Sequence, residues 1–347
     1  MKTKPRKRNL AQKLVFTGAS VALGLSLFTS TSASAEKNER KHQKPSFEFG
    51  LISDIQYCDC DTNGVRFYRN SISKLQDATA ELNKHDLEFT IQTGDLIDRN
   101  RESFDTILPY FNQINSKKYH MLGNHDYDYP NSSSDQTVDI LGMKNQYYDF
   151  AEDGWRFIVL DTNDMSLYAN EPGTPKYQQS EQLYNQLKAT GANNAQTWNG
   201  GVGPEQMKWL HNVLQKSKKK GEKVVVLGHH PVYPANEHNA WNDADIMREL
   251  ESAGNVVAYF NGHNHAGNYG ENNGIKYVNF HGMLDTADSS AFAVIQAFKD
   301  RLEVDGFGRQ PDLTIHVENH KEDDDDQHDD ENDNHNNDRD DHQNENN

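Results

Sequence analysis

Five short clusters of Asp, Asn, Gln and His each follow a run that reads as a β-strand, so the fold must bring five strand ends together. The runs are Phe47 to Ser53, Leu87 to Thr93, Lys118 to Leu122, Lys223 to Leu227 and Val256 to Phe260, most of them short and rich in β-branched or aromatic residues. Behind them stand Asp54-Ile55-Gln56, Gly94-Asp95-Leu96-Ile97-Asp98, Gly123-Asn124-His125-Asp126, Gly228-His229-His230-Pro231 and Gly262-His263-Asn264-His265. Groups at the carboxyl ends of successive strands converge on one crevice in an open α/β sheet. A single Asp or His in such a place is more often a turn former or a satisfied polar group. Five in succession, four of them with a Gly that lets the backbone bend tightly beside the polar side chain, point instead to a shared metal site.

The segments between these runs carry helical spacing. Arg66 to Lys84 repeats Tyr68, Ile72, Leu75, Ala78 and Leu82; Phe104 to Ile114, Ser180 to Leu187 and Pro204 to Gln215 read as further helices, the last with Pro in its first turn. Trp155 to Leu160 adds a strand, and Tyr277 to Phe280, Phe292 to Phe298 and Leu302 to Phe307 are strands with no helix between them. Alternation followed by a strand-rich end predicts α/β layering, with a mixed sheet or two packed sheets.

The two ends differ from this body. Residues 1–35 carry six Lys or Arg and no acid, an apolar run from Leu14 to Phe28, then Ala33-Ser34-Ala35, the pattern of an export signal cleaved after Ala35. The run is too short and too interrupted by Gly and Ser for a membrane span, so a soluble protein outside the cytoplasmic membrane is expected. Residues 36–45 read as a linker and 46–316 as one domain. In 317–347 there are 14 acids against Lys321 and Arg339, and only Val317 is hydrophobic, so a disordered acidic tail is predicted. Its interspersed histidines can hold divalent cations weakly; a plain solubilising tail is the simpler reading. The net charge of −18 excludes nucleic acid as the main partner, and a monomer is expected. Cys58 and Cys60 are read as incidental loop thiols, with a soft metal or redox site as the alternative. A disulfide across one residue would close almost no loop, and a disulfide framework is excluded.

These clusters resemble the ordered motifs of the calcineurin-like metallophosphoesterase superfamily: D-x-H, G-D-x-x-D, G-N-H-D/E, G-H and G-H-x-H. Gln56 stands where the superfamily usually has His. With the segments Arg66 to Ser71, Ala240-Trp241-Asn242 and Gly306 to Pro311, this departure makes the chain most similar to the manganese-dependent ADP-ribose/CDP-alcohol diphosphatases. The resemblance implies a four-layer α/β/β/α sandwich of two mixed sheets flanked by helices, with two metal ions at the strand ends. It assigns Asp54, Gln56 and His265 to one ion and Asn124, His229 and His263 to the other, with Asp95 suited to the bridge. Hydroxide between the ions would attack phosphorus, and His125 would protonate the departing oxygen, its imidazole held by Asp126 or Asp98. An amide oxygen in place of an imidazole hardens the site, which favours Mn²⁺ over zinc, with iron or zinc as alternatives.

The substrate expected from the resemblance is a small phosphoanhydride or phosphodiester of the ADP-ribose or CDP-alcohol kind. Tyr57, Tyr68, Trp241 and His281 are candidates to stack on a base, and Arg66, Arg69 and Arg309 to meet a second phosphate; Asn242 is a further candidate contact. Two other readings stay open: a phosphomonoesterase or broad phosphodiesterase, and a non-catalytic metal-binding protein on a degenerate scaffold.

Overall fold

The computed structural model describes residues 43–317; the expected export signal, most of the expected linker and all of the expected acidic tail but Val317 lie outside the described residues. Among the described residues the order is β1 (Phe47–Ile52), α1 (Ser71–Leu82), β2 (Leu87–Gln92), α2 (Glu102–Phe111), β3 (Lys117–His120), α3 (Ser134–Ile140), β4 (Tyr148–Glu152) and β5 (Trp155–Val159). There follow α4 (Pro175–Thr190), α5 (Pro204–Lys219), β6 (Lys223–Leu227), α6 (Asp243–Ala253), β7 (Val256–Asn261), β8 (Asn268–Asn272), β9 (Ile275–Asn279), β10 (Ala291–Ala297), β11 (Arg301–Gly308) and β12 (Leu313–His316). The helix expected from Arg66 begins later: Tyr68–Asn70 form a 3₁₀ turn, and α1 starts at Ser71. Sequence reasoning missed α3, β4, α6, β8 and β12.

The strands form two six-stranded sheets, ordered β12-β11-β10-β1-β2-β3 and β4-β5-β6-β7-β9-β8. Both are mixed. In the first, β1, β2 and β3 are parallel and β10 to β12 antiparallel; in the second, β5, β6, β7 and β9 are parallel and β4 and β8 close the edges antiparallel.

Three apolar layers hold this together, and β6 shows why its sequence does not alternate. Val225 and Leu227 face the other sheet, where Phe49, Phe89, Phe157, Phe260 and Ile295 also pack. Val224 and Val226 face outward under Leu210 and Leu214 of α5 and Ile246 and Leu250 of α6. A strand buried on both faces needs apolar residues at every position. On the first sheet, Leu75 and Leu82 of α1 and Phe104, Ile107 and Phe111 of α2 cover Ile52 and Val294. The layers are therefore helix, sheet, sheet, helix. The inter-sheet core is strongly aromatic, with Phe49 and Phe89 stacked at 4.8 Å and the Phe157 ring edge-on to Phe89 at 5.0 Å. Parallel pairing of β1 to β3 and of β5, β6, β7 and β9 sends their carboxyl ends to one side within each sheet, where the polar clusters follow.

Candidate metal centre

The clusters behind β1, β2, β6 and β7 meet in two buried ligand groups. Asp95, His229 and His263 form one and Asp54, Asp95 and His265 the other, the ligand atoms within each lying no more than 4.8 Å apart. Asp95 belongs to both. The backbone bends sharply to achieve this: Asp54, Gln56, Asp95 and His263 have φ of 48°, 42°, 55° and 67°, a left-handed conformation disfavoured by about 1–2 kcal/mol for residues with a Cβ. Such strain persists only where the surroundings impose it. Here the Gln56 amide donates to the Asp95 carbonyl (2.8 Å) and the His263 amide to the Asp54 carboxylate (3.1 Å). Gly94 and Gly123 allow the closest approaches. A Cβ on Gly94 would strike the His229 ring, and one on Gly123 would strike the Asp95 carboxylate, both well inside 3.0 Å.

The hydrogen bonds define which nitrogen of each histidine is free. His229 Nδ1 lies 2.9 Å from the Thr93 carbonyl, which can only accept, so Nδ1 carries the proton. Its Nε2 then faces Asn124 Oδ1 at 3.1 Å and Asp95 Oδ2 at 3.3 Å. Asn199 Nδ2 donates to the carbonyls of Asn194 and Glu237, so Asn199 Oδ1 accepts from His263 Nε2 (2.9 Å) and leaves His263 Nδ1 with a lone pair. His265 Nδ1 is bound to Asp285 Oδ1 at 3.1 Å, and its Nε2 faces Asp54 Oδ1 at 3.6 Å. Buried lone pairs and carboxylates turned toward one another repel unless a cation sits among them. The pull of the shared carboxylate shows at His229: burial opposes the imidazolium, but Asp95 prevails and drives the pKa up to about 9. Gln56 Nε2 donates to Asp95 Oδ2 (2.8 Å), while its buried Oε1 has no hydrogen-bond partner among the described residues. A buried amide oxygen left without a partner, on a side chain bonded to the shared carboxylate, suits a hard divalent ion such as Mn²⁺.

His125 follows Asn124, and its amide donates to Asp95 Oδ1 (2.8 Å). Its Nδ1 lies 3.6 Å from Asp98 Oδ2 and 3.8 Å from Asp128 Oδ2. Burial pulls the imidazole down, but Asp95, Asp128 and Asp98 outweigh it and leave its pKa above the ordinary histidine value. The expectation that Asp126 holds this ring is corrected. The Asp126 carboxylate accepts instead from the amides of Asp95, Leu96, Ile97 and Gly123 at 2.9 to 3.3 Å, tying the second cluster to the third. The carboxylates that face the Nδ1 side of the ring are Asp98 and Asp128, at ion-pair distances longer than a hydrogen bond.

The substrate-side candidates fare differently. Tyr68 and Trp241 are 1% and 2% exposed: Tyr68 packs on Cys58 and Leu284, and Trp241 donates to the Gln196 carbonyl and packs on Tyr184. Neither presents a face to a ligand. Arg69 is exposed and paired with Asp59 and Asp61, and Asn242 braces Val202 through both of its amide groups. Arg309 is half-buried and donates to the carbonyl of Gly282, which lies against His265 and Asp54, so it stays close to the centre. The two thiols are also corrected. Cys58 and Cys60 form a disulfide, because the turn brings their Cα atoms to 5.2 Å, an ordinary bridging distance, whatever little loop entropy it removes.

Three residues of the site escaped sequence reasoning. Asp285 stands behind β9, where the rule of polar residues after strands would have found it. Asp128 and Asn199 carry no local signal, since only tertiary folding brings them to His125 and His263.

Two ligand groups sharing one carboxylate at the strand ends of a two-sheet sandwich define a dinuclear metal hydrolase. The chain belongs to the calcineurin-like phosphoesterase family, whose model matches residues 47–267. Within it the chain stands with the manganese-dependent ADP-ribose/CDP-alcohol diphosphatases. It is 32% identical to the Bos taurus protein of that name over 76% of this chain and 92% of that one, and 31% identical to the Homo sapiens protein over 79% and 94%. A crystal structure of a dimetal phosphatase from Danio rerio superposes with a TM-score of 0.72 at 28% identity, covering 79% of this chain and all of that one. The protein is accordingly a metal-dependent phosphoesterase or diphosphatase, and its cofactors are divalent metal ions, manganese foremost.

Proposed function

We propose that the chain hydrolyses the phosphoanhydride of a small nucleotide-like diphosphate, of the ADP-ribose or CDP-alcohol kind, outside the cytoplasmic membrane. The observation that carries the chemistry is the sharing of Asp95 between two buried ligand groups. Asp54, Gln56, His265 and Asp95 would hold one ion, and Asn124, His229, His263 and Asp95 the other. Bound there, the ions supply Lewis acidity and a nucleophile at neutral pH. The chain's own residues do the rest. The charges of Asp95, Asp98 and Asp128 favour the protonated form of His125, whose Nε2 would deliver a proton to the departing oxygen. Asp126 locks the loops that carry Asp95 and Asn124, and Asp285, Thr93 and Asn199 fix the three ligand histidines.

What supports a nucleotide-like substrate is the activity named for the relatives, together with one exposed aromatic residue next in sequence to a site residue. Trp198 is 41% exposed and directly precedes Asn199, the partner of His263. An exposed indole there offers the flat apolar face that Tyr68 and Trp241 do not. Export rests on the basic, apolar and Ala-Ser-Ala pattern of residues 1–35, and no helix among the described residues is long and apolar enough to cross a membrane.

One screen tests the substrate: ADP-ribose, CDP-glycerol, CDP-choline, a cyclic nucleotide, a glycerophosphodiester and a phosphomonoester, each with Mn²⁺. The anhydrides should lead, and Trp198→Ala should raise KM for them while leaving bis(p-nitrophenyl) phosphate untouched. Fastest turnover of the monoester would overturn the reading. Amino-terminal sequencing of protein from the culture medium should begin at Glu36.

A further inference from the structure

Lys74 lies within α1, is 2% exposed, and reaches away from its helix to a different part of the chain. The three N–H groups of its Nζ are shared among four successive main-chain carbonyls, those of Met283 (3.0 Å), Leu284 (3.0 Å), Asp285 (2.9 Å) and Thr286 (2.5 Å). Four carbonyl dipoles converging on one buried point repel one another unless a cation neutralises them, so the curl of this segment depends on the ammonium.

The same segment supports one half of the metal centre. The amides of Met283 and Leu284 donate to the carbonyls of Ser53 (2.8 Å) and Asp54 (3.0 Å), and the Gly282 amide donates to the His265 carbonyl (3.1 Å). Asp285 places its carboxylate 3.1 Å from His265 Nδ1. The other half is held by different groups: Thr93 and Asn199 orient His229 and His263.

We infer that Lys74 is a positioning residue for the ion held by Asp54 and His265, acting through residues 283–286 and leaving the other ion's ligands undisturbed. This rests on the assignment of Asp54 and His265 to one ion. Loss of the ammonium lets the segment uncurl, which releases the main chain behind Asp54 and the carboxylate behind His265 together. Partners of this kind, removed from behind a ligating histidine, lower metal affinity by about 10–100-fold.

The test is a Mn²⁺ titration of the metal-free full chain by calorimetry, with electron paramagnetic resonance of the bound ions. It covers Lys74→Met, Lys74→Gln, Asp285→Asn, His265→Ala and the double variant Lys74→Met with Asp285→Asn. Lys74→Met and Lys74→Gln should each bind one Mn²⁺ as wild type does and the second about 10–100-fold more weakly, the step also lost in His265→Ala. The double variant should bind no more weakly than the worse of its two single changes, because both act through one path. Equal weakening of both steps, no weakening, additive effects, or failure of both Lys74 variants to fold would overturn the role. If His265→Ala keeps both steps intact, the ligand assignment has failed instead.

Discussion

Replacing Gly123 by Ala should empty the metal centre of an otherwise folded protein. Gly123 does not adopt a positive φ, so the new methyl adds no backbone strain; its whole effect is collision. The Cβ would meet the carboxylate oxygen and the amide nitrogen of Asp95 well under 3.0 Å, where ordinary contacts begin at 3.4 Å. The Asp95 amide cannot retreat freely, because it and the Gly123 amide both donate to Asp126 Oδ2, at 3.0 and 2.9 Å. The bridging carboxylate must therefore move by about 1 Å, roughly five times the ~0.2 Å tolerance of a metal–ligand distance. A displacement of that size should lower Mn²⁺ affinity by at least about 100-fold and kcat/KM at limiting metal by about as much. Overpacking should also lower stability by about 1–3 kcal/mol, a few degrees in Tm for a chain of this size. Gly142→Ala is the control: its φ is 65° and nothing lies within 4 Å of the added methyl, so it should lose about 1 kcal/mol and no metal. The assays are metal content after dialysis, thermal unfolding with and without Mn²⁺, and turnover of bis(p-nitrophenyl) phosphate. A Gly123→Ala protein that keeps two ions per chain and wild-type turnover would refute the reasoning.

Asp95→Asn should abolish both Mn²⁺ binding and activity, since one carboxylate serves both ligand groups; a variant retaining either ion at wild-type affinity would show that Asp95 is no bridge. His125→Ala should keep both ions and lose about 10²- to 10⁴-fold in rate with an alkyl leaving group but far less with p-nitrophenolate, and equal losses on both would remove it as the general acid. His120, buried against Phe111 at 5.0 Å, has its pKa lowered to about 4, first by burial and then by the charge of Lys118. Below pH 6.5 the unfolded chain binds a proton there that the native chain refuses, so up to about 3 kcal/mol of stability is lost as pH falls from 6.5 to 4. Urea unfolding of His120→Phe across that range should show a shallower pH slope than wild type, and an identical slope would assign the dependence elsewhere.

The parts of this fold that were legible in the sequence are those whose cause is local. After Lys223, the run Val224 to Leu227 is apolar at every position because both of its faces are covered, and it could be placed without knowing what covers it. Edge strands are different. In β4 none of Tyr148 to Glu152 is fully buried, and β8 reads Asn-Tyr-Gly-Glu-Asn, so neither needs the composition that identifies a strand. α6 was missed for another reason: Ile246, Leu250 and Ala253 carry helical spacing, but they follow a polar loop in which the chemistry drew attention to Trp241 and Asn242.

The site divides along the same line. A metal ligand behind a strand is local information, because the strand fixes its position and the glycine beside it records how close its neighbours come. The partners that choose a tautomer are not local: Asn199 lies 64 residues from His263, and Lys74 lies more than 200 residues from the carbonyls it gathers. Aromatic residues near the clusters misled for a related reason, since an indole or phenol serves a core as well as it serves a base. Trp241 is buried and Trp198 is exposed, though both sit beside Asn and within two residues of Gly or Ala. What separates them is what the fold packs against each ring, Tyr184 and the Gln196 carbonyl in the case of Trp241, a property of the assembled fold. Composition around a strand end therefore locates the reaction, while the choice of substrate rests on surfaces that exist only after folding. Exchanging Trp198 tests that division directly: the metal centre should be unchanged and the preference among diphosphates altered, whereas loss of metal on exchange would place Trp198 among the groups that build the centre.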